Sequence, residues 1–88
     1  MDLAFDVPES VTSASILGCL RKAGSDLLQQ VKLFDSYSGH AVEEGHRSLA
    51  YRLRFQASDR TLTDDEVSAL RTKCIQVVEK KTNARLRQ

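Results

Sequence analysis

Apolar side chains recur at every second position near the start of the chain, which is the spacing of a strand with one buried face. Residues 2–7, DLAFDV, show this alternation, and Pro8 ends it. Segments 27–37, LLQQVKLFDSY, and 47–57, RSLAYRLRFQA, predict a second and a third strand. The polar, glycine-bounded segment 38–46 between them suits the long loop of a hairpin.

Two other segments carry apolar residues at helical spacing. In residues 12–23 they fall on one face, serine and threonine are available as caps, and Gly24 is placed to close the helix. A second apolar stripe runs through residues 67–78, and lysines follow at the end that a helix dipole makes negative. Residues 84–87, ARLR, are long enough for a short last strand.

Three consecutive acids, residues 64–66, could belong to a catalytic or metal site or to the first turn of a helix. Thr63 and Glu66 have the spacing of a capping box, in which the hydroxyl and the carboxylate each accept from the other residue's N–H. Leu62 and Val67 are placed to form a hydrophobic staple around it. The acids also oppose the positive end of the helix dipole. We therefore interpret this segment as a helix start.

The predicted order of elements is β-α-β-β-α-β, in one domain over residues 1–88. This order packs most simply as an α+β, ferredoxin-like split βαβ fold, with two helices on one face of a four-stranded antiparallel sheet. A chain of 88 residues has room for one modest core. The other face of the sheet is then left open.

Composition and charge bear on the possible partners. A net charge of +1 gives no global attraction to nucleic acid or to anionic membranes, and no apolar run approaches the ~20 residues that span a bilayer. We expect no membrane partner and a cytoplasmic location. Cys19 and Cys74 lie among apolar residues without metal or redox spacing, so we expect core thiols. His40 and His46 lack a convincing third ligand, and no metal site is expected.

Strand alternation also predicts the side chains of the open face. They are Ala4, Lys32, Phe34, Ser48, Ala50, Arg52, Arg54 and Gln56, with Arg85 or Arg87 from the last strand. Strict alternation turns Asp35 and Tyr37 toward the helices. Arginines, an aromatic ring and small residues suit single-stranded RNA, whose bases stack on rings while basic groups meet phosphates. A charged sheet face is often simply hydrated, so these residues alone leave both interpretations open.

Linked segments of the sequence resemble one known family. LFDSYSG at 33–39 and GHRSLAYRLRFQASDRTLTDDEV at 45–67 carry most of the likeness, and DLAF, LRKAG and ARLR extend it to essentially the whole chain. The family is the C-terminal ferredoxin-fold anticodon-binding (FDX-ACB) domain of phenylalanyl-tRNA synthetase, most closely the bacterial β subunit. The sequence departs from it at His46 and Arg47, where the family usually has two lysines.

The resemblance implies an RNA-binding module that recognises the anticodon stem-loop of phenylalanine tRNA and has no catalytic site or cofactor of its own. It implies that the domain ends a much larger chain, which assembles with an α subunit as two α and two β subunits. Aminoacylation, with ATP and magnesium, would then take place elsewhere in that enzyme. A free-standing ferredoxin-like domain for a small ligand or a protein, and the equivalent domain of an organellar single-chain synthetase, are the alternatives.

Family positions that meet the first anticodon base and its neighbours correspond to Ala4, Asp35, Tyr37 and Ser48. Asp35 can accept from a guanine edge, Tyr37 offers a ring, Ser48 a hydroxyl, and Ala4 leaves room for a base. This assignment needs a bulge or a strand end near Phe34, because strict alternation turns Asp35 and Tyr37 inward. The resemblance also makes Arg47, at a position of the family's lysine pair, a candidate for a phosphate contact. The pattern of ring and charge adds Phe34, Arg52 and Arg54 to the candidate RNA-binding residues.

Overall fold

The computed structural model describes residues 1–39 and 42–87, which form four strands and two helices in the predicted order. The elements are β1 (Asp2–Pro8), α1 (Ser13–Gly24), β2 (Leu28–Tyr37), β3 (His46–Phe55), α2 (Asp64–Thr82) and β4 (Arg85–Leu86), with a short 3-10 turn at Ser25–Leu27. Residues 38–45, within the predicted hairpin loop, join β2 to β3, and His40 of that loop lies outside the described residues.

The strands form one antiparallel sheet in the order β2-β3-β1-β4. β1 pairs with β3 along its whole length, from Asp2 opposite Arg52 to Pro8 opposite His46. β4 is only two residues long, shorter than the predicted ARLR strand, and pairs with Phe5 and Asp6. The predicted ferredoxin-like arrangement is therefore confirmed, with a reduced last strand.

Both helices pack on the same face of this sheet. The side chains that meet there form one buried cluster: Leu3, Phe5, Val7, Ile16, Leu20, Ala23, Val31, Leu49, Tyr51, Leu53, Cys74, Val78 and Ala84. Tyr51 is fully buried, and its hydroxyl lies 3.1 Å from the Ser13 hydroxyl at the start of α1. Neither of the two described helices covers the opposite face of the sheet, which is therefore open to solvent.

The acidic segment before α2 is a helix start, as the sequence predicts. The Thr63 hydroxyl accepts from the Glu66 N–H at 3.1 Å, and the Glu66 carboxylate accepts from the Thr63 N–H at 3.1 Å. Arg60 also donates to Glu66 at 2.7 Å. The Arg60 hydrogen bond, followed by that from the Thr63 backbone, holds the pKa of Glu66 below its ordinary value. These side chains are thus occupied in capping the helix.

The end of α1 corrects the role predicted for Gly24. The helix ends there, but the residue with positive φ is Ser25 (φ 55°), while Gly24 keeps a right-handed backbone with φ −77°. A Cβ at Gly24 would lie 2.5 Å from Cβ of Leu28. The glycine is required because β2 starts in close contact with the helix, and its backbone conformation is ordinary.

Candidate nucleic-acid interface

A bulge in β2 decides which side chains the open face presents. Leu33 lies opposite Tyr51, whereas Asp35 lies opposite Ala50, so Phe34 is an extra residue without an opposite partner on β3. Tyr51 is buried against the helices, and its neighbour Ala50 therefore faces the other way, together with Asp35. The prediction from strict alternation that Asp35 points inward is wrong.

The same bulge carries Tyr37 to the open face, because Tyr37 lies opposite the outward-facing Ser48. Strict alternation is wrong for this residue too. The bulge near Phe34 that the family resemblance requires is present, and Asp35 and Tyr37 lie on the same face as Ser48 and Ala4. This face has the following outward residues on β1, β2 and β3, which we call the open face: Asp2, Ala4, Asp6, Pro8, Gln30, Lys32, Phe34, Asp35, Tyr37, His46, Ser48, Ala50, Arg52 and Arg54.

The centre of the open face is flat and its rim carries two exposed rings. Ala4 and Ala50 lie directly opposite each other, so no long side chain rises between Asp35 and the edge of β1. Phe34 and Tyr37 are 43% and 47% exposed, the largest exposed aromatic side chains among the residues described. Two exposed rings on either side of a carboxylate suit a planar ligand with hydrogen-bond donors on its edge.

Gly39 packs against the phenol of Tyr37 just after β2. A Cβ placed on Gly39 would lie 2.9 Å from the Tyr37 hydroxyl oxygen, and the backbone there has φ +152°, which L side chains rarely adopt. A larger residue would be strained and would push the ring. The glycine therefore helps to set the position of Tyr37 on the open face.

Arg52 is held in place by two neighbours on the open face. Its Nε and Nη2 donate to the two carboxylate oxygens of Asp2 at 3.0 and 3.3 Å. Its guanidinium carbon lies 4.7 Å from the centroid of the Phe34 ring, within the range of a cation–π contact. The hydrogen bond from Arg52 lowers the pKa of Asp2, and that bond in turn raises the pKa of Arg52. The pair remains ionised at neutral pH.

The remaining basic residues of β3 differ in the face they use. Arg54 lies on the open face, and its Nη2 donates to the Gln56 side chain at 3.4 Å. Arg47 lies opposite the buried Val7, and its guanidinium donates to the carbonyls of Val11 at 2.9 Å and Glu9 at 3.3 Å. Strand parity thus places Arg47 on the other side of the sheet from the open face, as alternation predicts, and its phosphate contact stays a prediction.

Asp6 is a residue of the open face that the candidate list did not include. It lies opposite Ser48 on one side and Arg85 on the other. One of its carboxylate oxygens is buried and has no hydrogen-bond partner among the groups that the structure describes. Alternation places Asp6 outward, but burial of one oxygen depends on neighbouring strands and leaves no mark in the sequence. Lys32, opposite Arg52, was placed outward correctly and also belongs to the face.

The side chains suited to metal or thiol chemistry lie elsewhere. Within residues 1–39 and 42–87, no three His, Cys, Asp or Glu side chains come together as a metal site. Cys74 is buried in the core, where burial raises the pKa of its thiol, and Cys19 is half-buried beside the core. No helix among these residues is long and apolar enough to cross a membrane.

Comparison with known proteins agrees with the fold. A sequence model of the ferredoxin-fold anticodon binding domain matches residues 1–87. The phenylalanine–tRNA ligase β subunit of Moorella thermoacetica is 46% identical over 87 residues, which are 99% of this chain and 11% of that protein. The same subunit of Trichormus variabilis is 44% identical over 86 residues (98% and 11%), and that of Synechococcus elongatus is 54% identical over 66 residues (75% and 8%).

The chain spans about a tenth of the length of these curated relatives. The match runs through the segments that build the open face, since it covers β1, β2 and β3 completely. The resemblance noted in the sequence is therefore confirmed. The chain belongs to the ferredoxin-fold anticodon binding domain family.

Proposed function

We propose that this chain binds the anticodon stem-loop of phenylalanine tRNA on its open face, as the anticodon-binding part of a phenylalanine–tRNA ligase β subunit. The observation that carries the proposal is the bulge at Phe34. It brings Asp35 and Tyr37 onto the same face as Ala4 and Ser48. A carboxylate, a ring, a hydroxyl and a flat floor then surround one base-sized area of the sheet.

Each of these groups has a separate part in holding a base. The Asp35 carboxylate accepts from the N–H groups on a guanine edge, which are donors that adenine and pyrimidines do not present in the same arrangement. Tyr37 stacks on the face of the base, and Ser48 offers a hydroxyl to its edge or to the ribose. Ala4 and Ala50 allow the base to approach the backbone of the sheet. Recognition of an unpaired loop base by stacking and edge contacts is the usual mode for RNA.

The proposed parent protein provides the remaining functions. Its α subunit would carry aminoacylation, with ATP and magnesium, while this domain would need no cofactor. The enzyme would work in the cytoplasm, where tRNA is charged for translation. These proposals rest on the similarity to ligase β subunits, of which the chain covers about a tenth.

Binding of the 88-residue chain to a synthetic anticodon stem-loop of phenylalanine tRNA tests the proposal. We expect the stem-loop with guanine as first anticodon base to bind about tenfold or more tightly than one with cytosine, the discrimination typical of a good base contact. Asp35→Asn removes the negative acceptor and should abolish this preference. Tyr37→Ala should weaken binding of both RNAs, because it removes the stacking ring.

Asp65→Asn is the matched control for the carboxylate change. Asp65 is exposed in the first turn of α2, on the helical side of the sheet, so replacing its carboxylate by an amide should leave RNA binding unchanged. Equal binding of both stem-loops by the unaltered chain would refute base recognition. Binding that survives both Asp35→Asn and Tyr37→Ala would place the RNA contact elsewhere.

A further inference from the structure

On the open face the guanidinium of Arg52 lies over the ring of Phe34, next to Asp35. The guanidinium carbon of Arg52 lies 4.7 Å from the centroid of the Phe34 ring. The Arg52 side chain is still 64% exposed, so the guanidinium covers the ring on one side and leaves its own surface to solvent. Guanidinium planes and aromatic rings are both surfaces on which unpaired RNA bases stack.

The contacts of Arg52 favour stacking over a phosphate contact. Its Nε and Nη2 already donate to both carboxylate oxygens of Asp2, and this occupies one of the two forked pairs of donors with which a guanidinium can grip a phosphate. The carboxylate also offsets the charge that would attract a phosphate. The flat surface of the guanidinium is left for a ligand, and the two hydrogen bonds fix its orientation.

We propose that Phe34 and Arg52 form a second stacking site, which takes one unpaired nucleobase next to the first anticodon base whatever its identity. This inference rests on the proposed function of the open face. Arg52 and Ala50 are two residues apart on one strand, about 7 Å, so neighbouring nucleotides of one strand can reach both sites. Lys32, opposite Arg52 on β2, is exposed and can meet the phosphate between them.

Substitution of Arg52 by lysine separates stacking from charge. Arg52→Lys keeps the positive charge and the partner Asp2 but removes the planar group, and we expect stem-loop binding to weaken about tenfold. Phe34→Leu, which keeps apolar bulk without a ring, should also weaken stem-loop binding. Arg71→Lys makes the same chemical change on the exposed side of α2 and should leave binding unchanged.

The salt dependence of binding provides a second readout. The double change Asp2→Asn with Arg52→Gln should leave the slope of log K against log[salt] as it is in the unaltered chain, because it removes two opposite charges together. A phosphate contact from Arg52 would instead lower that slope by about one. Arg52→Lys that binds like the unaltered chain, together with a lower slope for the double variant, would overturn the stacking site.

Abasic nucleotides identify the base that occupies the site. Replacing one unpaired nucleotide next to the first anticodon base by an abasic one should weaken stem-loop binding about tenfold. Changing its base to another should weaken binding less than about twofold. The Arg52→Lys variant should bind the stem-loop with the abasic nucleotide as tightly as it binds the intact stem-loop. If no position behaves this way while Asp35→Asn still abolishes the guanine preference, only this inference fails. If the unaltered chain shows no base preference at all, the proposed function fails with it.

Discussion

Deletion of Phe34 tests the strand bulge on which the open face depends. In the structure Leu33 lies opposite Tyr51 and Asp35 lies opposite Ala50, with Phe34 as the residue between them. Removing it makes consecutive residues of β2 from Gln30 onward oppose consecutive residues of β3, while the irregularity between Leu28 and Gln30 stays. Asp35 therefore keeps its partner and its direction. We expect the deletion variant to fold with the same register.

The stability change follows from the exposure of the deleted side chain. Phe34 is 43% exposed, so slightly more than half of its surface is buried. Full burial of a side chain of this kind contributes about 1.5–3 kcal/mol, and the deletion should lower the free energy of unfolding by about 1 to 2 kcal/mol. Urea unfolding measures this change. The preference of the stem-loop assay for guanine should persist, since Asp35 and Tyr37 do not change face.

Deletion of Ser36 is the matched control, because it removes a residue beyond the bulge. Asp35 stays opposite Ala50, but Tyr37 moves to the position of Ser36, opposite Leu49, and turns away from the open face. Stem-loop binding should then weaken as in Tyr37→Ala. The reasoning is refuted if deletion of Phe34 abolishes the guanine preference, or if deletion of Ser36 leaves binding intact.

Three further predictions concern stability alone. Gly18→Ala should raise the free energy of unfolding by about 0.5–1 kcal/mol, because a Cβ there meets nothing within 4 Å inside a helix. Gly24→Ala should lower the free energy of unfolding by about 1–3 kcal/mol, because the added methyl group crowds Leu28. Urea unfolding measures both variants, and a change of the same sign in Gly18→Ala and Gly24→Ala would contradict this reasoning. The Arg52 hydrogen bond holds the pKa of Asp2 below its ordinary 3.8, so this ion pair stabilises above that pH and is lost as pH falls through the lowered pKa. Asp2→Asn should therefore lower the melting temperature at pH 7, with a difference that disappears in strong acid; a difference independent of pH would contradict the role of the pair.

Local features were predictable from the sequence because their partners are near in the chain. The capping box of Thr63 and Glu66 involves residues three apart, and their spacing alone indicates it. Gly24 was correctly placed at the end of α1, but the reason was wrong. The crowding by Leu28 depends on how β2 leaves the helix, and the left-handed residue is Ser25.

The face of Asp35 and Tyr37 could not be predicted from alternation because it depends on a partner strand. LFDSY contains no glycine to mark a bulge, and Phe34 fits a regular strand by its residue type. Register is set by pairing with β3, where Leu49 and Tyr51 must reach the core and therefore fix which residues of β2 can oppose them. Only the likeness to a family pointed to the irregularity.

The charges of the open face bear on how it binds RNA. Across the four strands the outward cations exceed the outward carboxylates by one: Lys32, Arg52, Arg54 and Arg85 against Asp2, Asp6 and Asp35. Arg47, the other arginine of β3, donates to backbone carbonyls on the opposite side. A face so nearly balanced attracts the phosphate backbone weakly. Stacking on Phe34 and Tyr37 and edge contacts at Asp35 must then provide most of the binding energy, and this is the arrangement expected of a surface that distinguishes one loop from another.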